Sequence, residues 1–405
     1  MKIAYFVWEY PPRLVGGLGT YAAEITSQFA LKGNKLSVFT MNDGDKLPTM
    51  EEQKNITVHR PIVADASQIL PVFVDEEIVR WGAGMKFFAD VLSYNMLAAN
   101  KYTNLCCKKE KYDLIACHDW LSAISGVIAK SNSRKPLVFH VHSTEFGRSR
   151  GGGSTTIKEL ESFTAREADM IVTVSYAMRE ELDGLGFPKE KVRVMWNGVD
   201  EKKYDLKSFK RAEIDRYRKS IGVKDNERMI LFTGRLTFVK GIDTLVRAMP
   251  QVLEKVKNAK LVVLGRGEME GELKSLAEQL GITKNVIFIN KWVEEKHRLL
   301  LYAAADVVCC PSRYEPFGII ALEAMSMSKP AVVGVGGLRE SVMDSVTGLY
   351  CNPDNPVDIA NKLTKVLEDG ALASEMGIKG RERVEKVFTW DKIAHQTLEL
   401  YETVI

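Results

Sequence analysis

VVCCPSRYEPFGIIALEAMSMS, residues 307–328, is the stretch from which the fold is read. It opens with a short apolar run in which Val307 and Val308 are β-branched, as in a strand buried on both faces of a parallel sheet. The run stops at Pro311-Ser312, and a polar loop, Arg313-Tyr314-Glu315, follows. Pro316 stands where a helix accepts its first residue, because its missing N–H would be unpaired there anyway. Ile319, Ile320, Leu322, Ala324 and Met325 then predict an apolar helix. Such a loop lies at the carboxyl edge of an open α/β sheet, the edge at which these sheets bind ligands. Two carboxylates are eight positions apart, Glu315 at the mouth of the loop and Glu323 inside the helix. In the apolar run IIALEAM a carboxylate is expensive unless it is paired or touches a ligand. The N–H groups of Phe317 and Gly318, at the positive end of the helix, offer a seat for phosphate or sugar oxygens.

At 405 residues the chain exceeds one ordinary core and predicts two domains. An apolar content of 45% with 27% charged residues is that of a globular protein. A net charge of +3 gives no global footprint for nucleic acid. The longest apolar runs are about ten residues, short of the roughly 20 that a membrane helix needs, so no span is expected. MKIAYFVWEY is followed by Pro11-Pro12-Arg13 instead of a small-residue cleavage site, and reads as the first core strand. Six cysteines (106, 107, 117, 309, 310 and 351) form no C-x-x-C pair. They read as reduced core thiols of a cytoplasmic protein, with no metal implied.

Strands and helices alternate throughout, which predicts parallel sheets of βαβ units. The first series of candidate strands is Ile3–Trp8, Leu36–Thr40, Ile56–His59, Leu114–Cys117, Leu137–Val141, Ile171–Val174 and Val192–Met195. The second is Ile230–Thr233, Leu261–Leu264, Val286–Ile289, Val307–Cys310 and Ala331–Val335. The charged stretch Asp200 to Asn226 separates the series. It predicts domains at 1–205 and 206–388, with a helix over 389–405 returning to complete the first.

Other strand ends carry polar groups. EYPPRLVGGLGTYAAEI places Gly16 and Gly17 at the opening of a helix, where a glycine backbone can approach a diphosphate. The spacing is not G-x-G-x-x-G, so a nicotinamide enzyme is disfavoured. His118-Asp119-Trp120 ends one apolar strand and His140 and His142 end the next, with His142 best placed to enter a cleft. No G-x-S-x-G elbow and no zinc spacing occurs. Asp43-Gly44-Asp45 reads as a solvated turn. FGRSRGGGSTT, residues 146–156, reads as an exposed mobile loop, either an acceptor-site lining or a plain connector. In ILFTGRLTFVKGID, Arg235 and Lys240 flank a strand-to-helix turn, where two cations can neutralise a leaving diphosphate. Gly265-Arg266-Gly267 is a weaker glycine turn, and Gly336-Gly337-Leu338-Arg339-Glu340 repeats the pattern.

GRLTFVKG, PSRYEPFGIIALEAM with its E-x7-E, GGLRE and TGLY together resemble the retaining family 4 glycosyltransferases of the GT-B fold. EYPPRLVGGLG, CHDW and HVHSTE make the chain similar to the glycogen and starch synthases within them. The resemblance covers nearly the whole chain in order. It implies two Rossmann-like α/β domains with parallel sheets facing across a deep cleft. It implies that glucose passes from a nucleotide-diphosphoglucose, ADP-glucose or UDP-glucose, to the non-reducing end of an α-1,4-glucan.

By the same resemblance Arg235 and Lys240 hold the donor diphosphate, and Glu323 accepts from the ribose. Glu315 with the amides of Phe317 and Gly318 binds the transferred sugar. Gly16 and Gly17 approach the diphosphate, His142 lies by the anomeric carbon, and Asp119 and His118 are on the acceptor or sugar side. Neither cofactor nor metal is implied, and the oligomeric state is left open. Leu14 departs from the Lys that bacterial glycogen synthases carry in K-x-G-G-L, which leaves the donor base and the acceptor open. A small-sugar, lipid or other glycan acceptor is the first alternative. A nucleotide-sugar epimerase and a non-catalytic binder are the others.

Overall fold

Parallel strands buried on both faces must be apolar at nearly every position, and this chain meets the demand strand by strand. The computed structural model describes residues 1–14, 16–42, 47–74, 76–81 and 83–405. The Asp43-Gly44-Asp45 turn lies outside the described residues. Contacts divide the chain into two units, Met1–Trp196 with Trp390–Ile405, and Asn197–Thr389.

The first unit holds β1 (Lys2–Phe6), β2 (Lys35–Phe39), β3 (Met50–Gln53), β4 (Ile56–His59), β5 (Leu114–His118), β6 (Leu137–Val141), β7 (Met170–Thr173) and β8 (Val192–Val194). They form one sheet in the order β3-β4-β2-β1-β5-β6-β7-β8. Every pairing is parallel except β3 with β4. The polar strand MEEQ (β3) was not among the expected strands; an edge strand with one neighbour tolerates solvent on its faces. The chain first runs outward from β1 to β4, then restarts on the other side of β1 with β5. That reversal is a topological switch point, where open α/β sheets leave a crevice.

The second unit holds β9 (Arg228–Thr233), β10 (Ala259–Leu264), β11 (Val286–Ile289), β12 (Val307–Cys310), β13 (Ala331–Val333) and β14 (Gly348–Tyr350). All pair in parallel, in the order β11-β10-β9-β12-β13-β14. Its switch point lies between β9 and β12, in register at Ile230 with Val307 and Leu231 with Val308.

Two boundaries differ from expectation. The junction falls at Asn197 instead of 206, because Val199 donates to the Phe388 carbonyl at 2.8 Å and bridges Thr389. The segment after β8 is thus tied to the second unit. Trp390–Glu402 is a helix whose Trp390, Ile393, Ala394, Leu398 and Tyr401 complete the first unit's core. All six cysteines are free thiols. No described helix is long and apolar enough to cross a membrane.

Candidate active site

In the second unit the loops after β9 and β12 are neighbours at the switch point. The helix beyond β12 runs Ile319–Ser326, so Pro316 is not its first residue. The reason lies in Gly318, which caps the helix at φ +88°, where a Cβ would also meet Leu338 Cδ2 at 2.4 Å. The chain therefore turns at Gly318 before the helix begins. The amides of Phe317 and Gly318 precede that helix, and neither has a hydrogen-bond partner among the described residues. These are donors at the positive helix end, free to take an anionic or hydroxyl oxygen.

Glu315 accepts a hydrogen bond from Lys240 Nζ at 2.5 Å, and the pair is mostly shielded from solvent. Arg235, two residues past β9, is exposed and makes no ion pair among the described residues. Two sequence-remote groups hold this arrangement in place. Arg313 forms a bidentate pair with Asp243 at 2.7 and 2.9 Å and a 2.6 Å bond to Asp354. It also donates to the Phe238 carbonyl at 2.7 Å and stacks 3.9 Å over the Phe238 ring. Phe238–Lys240 is a tight helical turn, so Arg313 pins the segment that carries Lys240 against the loop that carries Glu315.

Glu323 is buried, and both of its oxygens are engaged. Oε1 accepts from Tyr204 at 2.5 Å and Oε2 accepts from the Tyr302 hydroxyl. Arg298 lies 5.8 Å from the Tyr204 ring centroid. Burial is the largest single influence and works against the guanidinium's charge, but Glu323, Tyr204, Tyr302 and Glu295 together outweigh it and raise the Arg298 pKa. The expense of a carboxylate in an apolar helix is thus met by two phenols and a cation. Gly265 and Gly267 serve packing, since a Cβ there would strike the Gly234 carbonyl oxygen at 1.9 Å and that of Leu236 at 2.3 Å.

In the first unit β5 and β6 end side by side and bring three histidines together. His118 and His142 share a 3.0 Å hydrogen bond between Nδ1 and Nε2, and His140 Nε2 lies 2.7 Å from the Tyr401 hydroxyl. Burial, then the neighbouring imidazoles, push His118 and His140 well below the usual histidine range. Burial also lowers His142, with Asp119 pulling it back, so all three are neutral at pH 7.

His142 is the half-buried member of the trio, as expected for the one that reaches out. His118 does not reach out: its ring is fully buried between Tyr5 and His140, at 4.3 and 4.4 Å. Asp119 is buried too, and its Oδ1 accepts the N–H of His142 at 2.7 Å and of Ser143 at 3.4 Å. Its φ of +52° is unusual for a residue with a side chain. Both residues therefore position His142, and neither offers a surface to a sugar. The seven-residue reach from Glu9 has a similar role: its buried carboxylate accepts the Gly16 N–H at 2.9 Å. A Cβ on Gly16 or Gly17 would meet nothing within 4 Å, so the space above that turn is open.

The nitrogens of the three histidines lie within 4.8 Å of one another, a spacing that a metal ion can use. His118 and His142 already turn their nitrogens on each other with ring planes 24° apart, so a shared ion would have to break that hydrogen bond. The arrangement works as a neutral relay that fixes the ring orientation of His142. The loop over 146–156 is also more ordered than a connector. Glu145–Arg148 and Thr155–Glu167 are helices, each capped by a side chain, Thr144 and Ser154.

Residues 213–383 match the family described as glycosyl transferases group 1, and residues 15–203 match glycosyltransferase family 4. An uncharacterised glycosyltransferase of Methanocaldococcus jannaschii is 37% identical over 409 residues, covering 99% of this chain and 98% of that protein. The chain belongs to the family 4 glycosyltransferases. A glycogen synthase of Mycobacterium tuberculosis is 26% identical to this glycosyltransferase, over 99% of the chain and 94% of the relative. The solved sucrose-phosphate synthase of Thermosynechococcus elongatus superposes with a TM-score of 0.80 at 24% identity, over 99% and 98% of the two chains. That likeness gives the fold, which is GT-B.

Proposed function

We propose that this glycosyltransferase moves glucose from ADP-glucose or UDP-glucose to an α-1,4-glucan with retention of anomeric configuration. The observation that supports it best is the cluster at the β9/β12 switch point. There, among the described residues, Arg235 makes no ion pair, Lys240 sits on Glu315, and the amides of Phe317 and Gly318 are unclaimed. A nucleoside diphosphate leaving group develops negative charge as the glycosidic bond breaks, and two cations with two amides answer that charge. Glu315 and the two amides suit hydroxyls of the transferred glucose. Glu323 suits the ribose: each carboxylate oxygen keeps a second acceptor direction after binding its tyrosine.

The first unit's contribution is His142, kept neutral by burial and aimed by His118 and Asp119, as a hydrogen-bonding group for the sugar. Attack comes from the face the diphosphate leaves, and the departing phosphate oxygen takes the acceptor's proton. No protein carboxylate then has to act as nucleophile, and Arg235 and Lys240 supply the charge for which a metal would otherwise serve. The likeness to a glycogen synthase over almost the full chain favours a glucan acceptor.

The test is nucleoside diphosphate release from each donor, with and without glycogen, together with the anomeric configuration of the product. Arg235→Ala should lower kcat by about a hundred- to a thousandfold, as deletion of a transition-state charge donor does. An inverted product, or full turnover by that variant, contradicts the proposal.

A further inference from the structure

A cavity of about 650 Å³ opens in the first unit beside the turn that carries His142. Its walls include Glu76, Glu77, Arg80 and Trp81 from one side and Glu145 and Ser154 from the other. Glu145 is three residues past His142, and Thr144 between them caps the short helix Glu145–Arg148, so one continuous turn sets both groups. Glu145 is itself fixed, its Oε1 accepting the Ser154 N–H at 3.0 Å. Glu77 accepts the Thr155 N–H at 3.0 Å and ties the two walls together.

We propose that this cavity receives the acceptor, and that it selects an uncharged polyhydroxylated glycan over an acceptor bearing phosphate or carboxylate. The inference rests on the transferase reading above and names the acceptor class of that reaction. Three carboxylates and one guanidinium line the cavity, and the guanidinium of Arg80 is already paired with Glu76 at 2.7 Å. The nearby Arg148 is also committed. It donates to Ser143 at 2.6 Å and lies 3.7 Å from Glu145 and 3.6 Å from Glu161. An anionic acceptor would meet like charge here, with no free cation among the described lining residues to answer it.

Sugar hydroxyls, in contrast, are donors that carboxylates accept, and the apolar face of a pyranose suits an indole. Trp81 is half-buried and braced edge-to-face by Phe88 at 5.5 Å, which in turn stacks on Trp120 at 6.4 Å. Trp120 follows Asp119, the residue that aims His142, so the platform and the reacting edge share one scaffold.

The deciding experiment is a binding titration of the full chain, which does not depend on turnover. Maltopentaose and glucose 1-phosphate are titrated separately, each with the Arg235/Lys240 donor site filled by saturating ADP and UDP, against tryptophan fluorescence and, in parallel, by calorimetry. The expected result is saturable binding of maltopentaose and none of glucose 1-phosphate over the same range. Trp81→Ala should weaken maltopentaose by roughly tenfold and Trp81→Phe by less, in line with loss and partial retention of an aromatic platform. Glu77→Gln, a milder change, should weaken it by a few-fold. Tighter binding of the phosphate, or maltopentaose affinity unchanged in both Trp81→Ala and Glu77→Gln, overturns the inference. Maltopentaose binding at this cavity with no transfer from either donor would sink the proposed reaction and leave the acceptor site standing.

Discussion

Glu323 shows how a single side chain carries two demands. Sequence alone suggests that Glu323→Ala weakens donor binding more than it damages the fold. In the structure the same carboxylate satisfies two buried phenols, Tyr204 and Tyr302. Stranding two buried hydroxyls costs about 1–3 kcal/mol each, less whatever solvent recovers. Glu323→Ala should therefore lose roughly 2–4 kcal/mol of stability as well as donor affinity. Chemical denaturation of the variant checks the first part, and an unchanged midpoint contradicts it. Glu323→Gln, which keeps one carbonyl acceptor, should fall between. The unusual position of Glu323 is legible in IIALEAM, but its partners are not. Tyr204 is 119 positions away and Tyr302 is 21 away, on segments whose pairing only the folded chain defines. Arg313 is a similar case: it reads as an ordinary loop cation until Asp243, Asp354 and Phe238 are folded around it.

Among elements, the turn from β6 through the helix Thr155–Glu167 has a titrating group built into it. Glu161 accepts the Glu145 N–H at 2.9 and 3.2 Å. Burial raises its pKa to about 8, although Arg148 and that N–H pull downward while Asp119 and Glu145 add to the rise. A carboxyl raised above its unfolded value binds more protons folded than unfolded. Its stabilising contribution is therefore present below about pH 4.5 and is lost as pH rises through about 8. Thermal melts between pH 5 and pH 9 should show the native chain losing stability more steeply than Glu161→Gln. Parallel curves for the two proteins contradict the assignment.

The strands of this region were legible because each is an unbroken apolar run, and β6 agrees with its sequence reading at both ends. The order of the 146–156 loop was not, because its caps and ion pairs involve Glu161 and Arg148 acting across the turn. Pro316 misled for a local reason: a proline compatible with a helix start was overruled by a glycine two residues later at positive φ.

At the scale of the molecule, the alternation of apolar runs with helices was enough to define two α/β units. The edge strands β3 and β14 were missed because four and three residues with polar or glycine content carry too little periodicity. The C-terminal helix and its return to the first unit were among the expectations, and its docking explains the division of the chain. Deleting 390–405 removes Trp390, Ile393 and Tyr401 from the first unit's core and strips His140 of its hydroxyl partner. The truncated chain should lose the first unit's cooperative melt while Asn197–Thr389 keeps its own, as resolved by hydrogen exchange. Native-like protection of β1 and β5 in the truncated chain would contradict that expectation.

The central claim is transfer of glucose to a glucan, and label incorporation tests it most directly. Glycogen is incubated with the full chain and with ADP-glucose or UDP-glucose labelled in the sugar. Label should enter the polymer with one of the two donors, be released as maltose by β-amylase, and fall by about a hundred- to a thousandfold in Arg235→Ala. Donor consumed with no label in the glycogen, or label that β-amylase cannot release, would contradict it.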